Sequence, residues 1–349
     1  AVPKEHFLRA LDSVVAWSVF TKQLVALYQG RGQVGRPPYN PALVLKMMLL
    51  AFLYQMSERQ TEVYVNDSLS AKWFLGLAVN EPAPDHSTLT AFKKRIIERG
   101  GEGSLQELLE EIVGQAMQAG VEFGAIQLVD STHTIANVNV GKDKRRREQE
   151  GKPPRDGGAA WGAKGTKSAK DKTGKTVQVI RFFHGYKMHT SMNAQAGMIT
   201  SVVVTSGNET DGKQFPGLLE RDLRQGLPVE IYAGDRGYDD TDNHYRLEVA
   251  GLKSALKLNR QRTEKKDPKK APWVRMLASE AYQAGQRERY KIERKFGEAK
   301  AYHGLGRCRY LGRTRYMVQA YLTAIVLNLK RMVRLLTGVS FKGRARVTA

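Results

Sequence analysis

Two short apolar runs end in an aspartate: AIQLVDST (125–132) carries Asp130 and VEIYAGD (229–235) ends at Asp235. Carboxylates closing buried strands are costly to desolvate unless a cation or a metal pairs with them. A third carboxylate stands in RYKIERKFGEAK (289–300). There Arg289 lies four residues before Glu293 and Lys300 seven after it, so at about 100° per residue the three share a stripe roughly 40° wide. Ile292, Phe296 and Ala299 form the adjacent packing face. Glu298 competes for the same role. It has Arg294 four before it but Leu305 seven after, and points about 140° away from Glu293. Three oxygen donors from separate elements suffice to hold Mg²⁺, a hard ion. Two such ions about 4 Å apart can activate an attacking oxygen and stabilise a leaving one in phosphodiester cleavage. The plainer alternative is a pair of turn aspartates and a salt-bridged helix.

The elements that must position these groups follow from periodicity. Residues 1–122 read as helical, with Phe7, Leu11, Val14, Val15 and Phe20 at helical spacing and a second helix opening at Pro41. The apolar stretch Leu43 to Tyr54 is too short to span a bilayer and reads as a buried helix. PDHSTLTAFKKRI opens with capping residues Asp85 and Ser87. It sets Leu89, Phe92 and Ile96 inward and Lys93, Lys94 and Arg95 elsewhere, a basic face suited to DNA docking or simply to solvent. From Phe123 onward strands alternate with helices: strands near 125–132, 177–183, 185–191, 198–205, 229–235 and 252–258, and helices near 212–225, 240–250, 280–302 and 315–336. This order predicts a mixed sheet flanked by helices over 123–336, with acidic strand ends on one edge. Lys142 to Lys175, including KRRR at 144–147, is basic, glycine-rich and poor in apolar residues, so a mobile insertion is expected. A basic linker is expected over 259–272, and a basic tail over 337–349.

The net charge of the 349-residue chain is +21, against a hydrophobic fraction of 41%. The chain can bury a core, and such a charge needs a polyanion to neutralise it, which favours nucleic acid as the partner. Cys308 is the only cysteine. Internal disulfides and cysteine-based zinc sites are therefore excluded, and a reducing compartment, the cytoplasm, is expected. Arg307, Arg309, Arg313 and Arg315 interleave with Tyr310 and Tyr316, a pattern suited to phosphate and base contacts or to a solvated loop.

LVDST, VTSGNETDGKQFPGLL, YAGDRGYDD and RYKIERKFGEAK together resemble bacterial insertion-sequence DDE transposases, within the superfamily of insertion sequence families four and five. GRPPYNPALVLKMMLLAFLY and PDHSTLTAFKKRI resemble the helical domain that precedes the catalytic core in that group. The resemblance implies an RNase H-like core behind an N-terminal helical DNA-binding and dimerisation region. It implies Mg²⁺ dependence, with Mn²⁺ able to substitute, and cleavage and strand transfer of double-stranded DNA. Pairing of two element ends implies a homodimer in the DNA complex, and the setting implied is the bacterial nucleoid. By position, Asp130, Asp235 and Glu293 match the metal-binding triad, and Arg289 and Lys300 match the phosphate-holding residues of the family's Tyr-Arg-Glu-Lys signature. Gln286 stands where that signature has tyrosine; Tyr282 and Tyr290 sit at other offsets. Lys93, Lys94, Arg95, Arg145, Arg146, Arg307 and Arg309 are further candidates for DNA contact. A non-catalytic DNA-binding descendant and a nuclease on the same core are the competing readings. Gel-shift binding without Mg²⁺-dependent cleavage marks the first, and cleavage without strand joining marks the second.

Other signals carry less. AKDKTGKT (169–176) lacks the first glycine of a P-loop and does not open a helix after a strand. His184 and His189 are five apart on a strand and so point to opposite faces. Asp211, Asp239, Asp240 and Asp242 sit among Gly, Thr and Asn, where turn or cap roles are expected.

Overall fold

The structure, a computed structural model, describes residues 2–28, 38–171, 173–259 and 275–342. Among these, seven α-helices precede the sheet: α1 (Phe7–Val14), α2 (Trp17–Val25), α3 (Pro41–Leu53), α4 (Glu58–Asp67), α5 (Leu69–Leu75), α6 (His86–Arg95) and α7 (Gly101–Gln118). The predicted caps form: the Asn40 side chain accepts from Ala42 N ahead of Pro41, and Asp85 accepts from Ser87 N ahead of α6. Helix α3 is buried nearly all round, as its composition demands.

The sheet has six strands: β1 (Ile126–Ile135), β2 (Ala160–Lys170), β3 (Thr176–Asn193), β4 (Ile199–Ser206), β5 (Ile231–Gly234) and β6 (Lys253–Leu256). Strands β1, β3 and β4 form an antiparallel meander in which β3 lies between the other two. On the far side of β1, β5 and β6 run parallel to it. The core is therefore the mixed, RNase H-like sheet that the resemblance implies. Helices α9 (Phe215–Arg224) and α10 (Thr241–Val249) cover one face. The other face meets α11 (Glu280–Glu288), α12 (Tyr290–Tyr302) and α13 (Arg313–Thr337).

Helix α13 joins the two parts of the chain. It packs on β4 and also on α1, α3 and α7, so helical region and sheet share one continuous apolar core. Its buried amide Asn328 is satisfied: it accepts from Ile199 N at 2.8 Å and donates to Ile199 O at 2.7 Å, pairing with the backbone of β4.

Three expectations need correction. The strands read at 177–183 and 185–191 are one, β3. The helix read at 280–302 breaks at Arg289 into α11 and α12. The stretch 142–175, read as a mobile insertion, contains α8 (Val140–Glu150), strand β2 and a hairpin onto the outer half of β3. Apolar burial was the wrong measure for it. Asn139 caps α8 at Lys142 N, Gly151 closes it in the left-handed conformation, and a ladder of backbone hydrogen bonds holds the hairpin. The expected linker at 259–272 lies, Asn259 apart, outside the described residues, as does the tail beyond 342.

Helix α11 lies close on the parallel strands because residue 285 is glycine. A Cβ there would come within 2.7 Å of Ala255 Cβ and 2.9 Å of Ala233 Cβ. Gly285→Val is expected to push α11 off β5 and β6 and to lower stability by roughly 1–3 kcal/mol. The urea midpoint measures it; an unchanged midpoint would mean the helix–sheet contact tolerates expansion.

Candidate active site

The parallel register of β1 and β5 ends at the pair Val129 and Gly234. The next residues are Asp130 and Asp235, so the two carboxylates start from neighbouring strands about 5 Å apart. The sequence placed Asp130 at a strand end. In the structure β1 runs on to Ile135 along β3, and only the partner β5 stops. Asp235 Oδ1 accepts from Gly237 N at 2.8 Å and caps the turn Arg236–Tyr238. Asp130 Oδ1 accepts from Ser131 N at 2.7 Å.

Helices α11 and α12 cross the same edge. Arg289, at their junction, holds Nη2 3.8 Å from Asp130 Oδ2 and 3.8 Å from Glu293 Oε1. The guanidinium thus stands between the buried aspartate and a glutamate that is 62% exposed. Its Nε is buried and has no hydrogen-bond partner among the described residues. Glu298 belongs elsewhere: it pairs with Lys330 at 2.5 Å and Lys295 at 3.7 Å. The structure therefore leaves Glu293 as the carboxylate facing Asp130. The triad does not collapse into contact. Among the described residues, the one trio of potential ligands with atoms within 4.8 Å of one another is Glu62, Asp85 and His86.

Burial, and then the neighbouring Asp235, push the Asp130 carboxyl from 3.8 up to about 7, against the pull of the Ser131 amide and Arg289. Burial also raises Asp235, opposed by the Gly237 amide and Arg289. A third acid adds to this field. Asp211, expected to serve a turn, accepts from Lys187 Nζ at 2.8 Å and lies 3.6 Å from His189 Nδ1. Its charge raises both Asp130 and Asp235. Tyr238 faces the same cluster with a fully buried, unpartnered hydroxyl, whose proton is held by burial and then by Asp211, Asp130 and Asp235. No local motif announces Asp211 or Tyr238; the loop after β4 and the turn after β5 bring them in.

Cations border the carboxylates. Burial, and then Lys164, lower Lys300 to about 8, while Asp130 opposes the shift. Burial, then Lys300, Lys164, Arg181 and Lys187, lower His133 to about 4. Lys164 and Arg181 come from the β2–β3 hairpin, and the position of 142–175 soon after the Asp130 strand predicts that this stretch emerges near the edge. Gln286, at the tyrosine position of the family signature, donates from Nε2 to Gly234 O at 3.1 Å and Ala255 O at 2.6 Å. It ties α11 to the strand ends one residue before Asp235.

Several proposed DNA contacts have other partners. Lys93 pairs with Glu58 and lies 3.9 Å from the centre of the Tyr310 ring, with 12% of its side chain exposed. Arg309 donates to Met56 O at 2.9 Å and covers the Phe52 ring. For these two the sequence reading is corrected: their charge binds the helical region to the core. Arg95 lies over the Tyr28 ring and Arg146 pairs with Asp143 at 3.2 Å. Lys94, Arg145 and Arg307 remain exposed.

The upward shift of the Asp130 carboxyl has a sign. Between 3.8 and about 7 the folded state keeps a proton that the unfolded state has lost, so its contribution to stability falls as pH rises through that window. In metal-free protein Asp130→Asn is expected to be more stabilising at about pH 8 than at about pH 4, by at least about 1 kcal/mol. Urea unfolding at the two pH values measures this, and equal effects at both would remove the desolvated-carboxylate account.

Comparison with known proteins places the chain in a family. Residues 1–95 match a family described as a transposase domain (DUF772), and residues 127–329 match the transposase DDE domain. Among solved structures, a piggyBac transposase synaptic complex with hairpin DNA is 8% identical, with a TM-score of 0.41 over 96% of this chain and 73% of that one. A Mos1 transposase paired-end complex is 11% identical, with a TM-score of 0.21 over 81% of this chain and 83% of that one. The DDE match alone spans more than half of the 349 residues, and the chain belongs to the DDE transposase family.

Proposed function

We propose that this transposase cleaves double-stranded DNA at the ends of an insertion sequence and joins the freed 3′-hydroxyl to target DNA, within the superfamily of insertion sequence families four and five. The supporting observation is the pairing of Asp130 and Asp235 on adjacent strands, with Glu293 across Arg289, in a chain of the DDE family.

The donor set fits Mg²⁺, with Mn²⁺ as a substitute. Asp130 and Asp235 each commit one oxygen to a backbone amide, and the second oxygen of each accepts no hydrogen bond from the described residues. These oxygens and those of Glu293 are hard ligands, and mutual repulsion among the acids favours a cation. Bound there, the metal supplies Lewis-acid activation of the attacking oxygen and stabilisation of the leaving one. The chain itself supplies position. Arg289 offers its unpartnered Nε to the phosphate, and Lys300 stands beside Asp130 on the same stripe of α12. Lys164 and Arg181 extend that positive rim along the hairpin, where duplex backbone can lie. The paired element ends would be held by a homodimer.

Incubation with the DNA flanking its own gene tests the reading. Cleavage is expected with Mg²⁺ or Mn²⁺ and absent with Ca²⁺. Asp130→Ala, Asp235→Ala and Glu293→Ala are each expected to slow it at least about a thousandfold, roughly 4 kcal/mol of barrier, with duplex affinity retained in Ca²⁺. Binding without cleavage by the wild-type chain would instead assign a DNA-binding protein.

A further inference from the structure

Helix α12 has a second charged side. Lys291, Arg294 and Lys295 are centred about 170° around the helix from the Arg289–Glu293–Lys300 stripe. Facing them from the last turns of α13 are Lys330, Arg331 and Arg334. These six cations line a cavity of about 440 Å³, and Glu298 is the only carboxylate in its lining among the described residues.

The charge in this groove is poorly neutralised. Glu298 is shared between Lys330 at 2.5 Å and Lys295 at 3.7 Å. Lys291 pairs with Glu288 and donates to Ala194 O at 3.1 Å. Arg331 donates from Nε to Ala196 O at 2.7 Å, a neutral partner. Arg294 lies 5.0 Å from the centre of the half-exposed Tyr290 ring, and Arg334 is exposed at the end of α13. Lys295 and Lys330 are only 12% and 15% exposed, so water screens their mutual repulsion poorly. Burial makes the Lys295 ammonium easier to deprotonate; Glu298 opposes this, and Arg331 and Lys330 add to it.

We propose that this groove binds the phosphodiester backbone of duplex DNA outside the segment held at the catalytic edge. The inference rests on the reading of the chain as a DNA-processing enzyme. Six cations against Glu298 in the lining and Glu288 on Lys291 still leave more positive charge than a single phosphate group, of about −1.5 to −2, would neutralise. Successive backbone phosphates match it better. The groove lies on the far side of α12 from Glu293, so phosphates seated there are not those undergoing reaction. One helix would thus touch DNA twice, and the groove would hold flanking or target duplex while the opposite stripe holds the reacting strand.

Arg294 and Arg334 are the variants of choice, because neither donates to the fold's backbone. Two measurements are made on the full chain: the salt dependence of its affinity for a labelled duplex of arbitrary sequence in Ca²⁺, and the Mg²⁺-dependent cleavage rate of its own flanking DNA at saturating enzyme. For Arg294→Ala/Arg334→Ala, the log–log salt slope is expected to become shallower by about 2, with the saturated cleavage rate unchanged. Arg294→Lys/Arg334→Lys is expected to keep the wild-type slope, which separates charge from folding damage. A wild-type slope in the double alanine variant, alongside normal cleavage, overturns the proposal. So does a groove that takes only small anions, seen as inorganic phosphate raising the melting temperature of wild type alone while the slope stays fixed. A shallower slope in a chain that never cleaves keeps the groove as a DNA contact and removes the transposase chemistry instead.

Discussion

The site depends on two like charges being forced together where water is scarce. Asp130 and Asp235 leave the β1–β5 ladder at the same level, so strand register sets their separation. Left to themselves, two carboxylates in such a place would separate or take up a proton. The fold prevents separation. Val129 and Gly234 are fixed in the sheet, Gly237 lets the chain turn beneath Asp235, and Gln286 ties α11 to the carbonyls of Gly234 and Ala255. What remains is a standing demand for positive charge. Arg289 meets it only in part, at 3.8 Å from Asp130 rather than in a close ion pair.

That incomplete pairing matters chemically. A tight, bidentate arginine would neutralise Asp130 and occupy its lone pairs. At the observed distance the guanidinium lowers the repulsion without occupying the oxygens, so they stay available to a metal. Its other contact, Glu293, is exposed and rides on the first turn of α12, where side-chain movement is cheap. The two aspartates are placed by the β1–β5 register and the glutamate is adjustable, so Glu293 can approach them without rearranging the sheet.

Much of this was legible in the sequence, because strand-end aspartates and a helical stripe are local patterns. Asp130, Asp235, Arg289, Glu293 and Lys300 could be picked out from spacing and resemblance, and the structure brings them to one edge. The choice of Glu293 over Glu298 has a tertiary reason as well: Lys330, on a distant helix, claims Glu298. What spacing could not show was contact between residues far apart in the chain. Asp211 arrives through Lys187 on β3, and Gln286 finds its partners on two strands it does not adjoin in sequence. The 142–175 stretch was misread for another reason. Its order comes from caps and backbone pairing, and apolar content does not record either.

The charge of +21 deserves the same dissection, because it does not all face outward. Lys93 is sealed under Tyr310 against Glu58, Lys72 donates to Val79 O and Glu81 O, and Arg309 donates to Ala51 O and Met56 O. These cations join segments of the helical region, and Arg309 joins that region to the core. A cation satisfied by carbonyls costs less to bury than an unpaired one, yet it keeps its charge and adds to the field of the molecule. The cations free to meet a ligand are therefore fewer than the composition implies, and beside scattered exposed ones such as Lys94, Arg145 and Arg307 they form two concentrations among the described residues. One group follows the carboxylate edge from Arg289 and Lys300 along the hairpin to Lys164 and Arg181; the other lines the groove between α12 and α13. Helix α12 lies between them, with acid and base on one side and, on the other, cations that outnumber the single lining carboxylate, Glu298. It follows that the carboxylate edge presents acids and cations together and attracts charge of both signs, whereas the groove's excess of cations attracts anions alone.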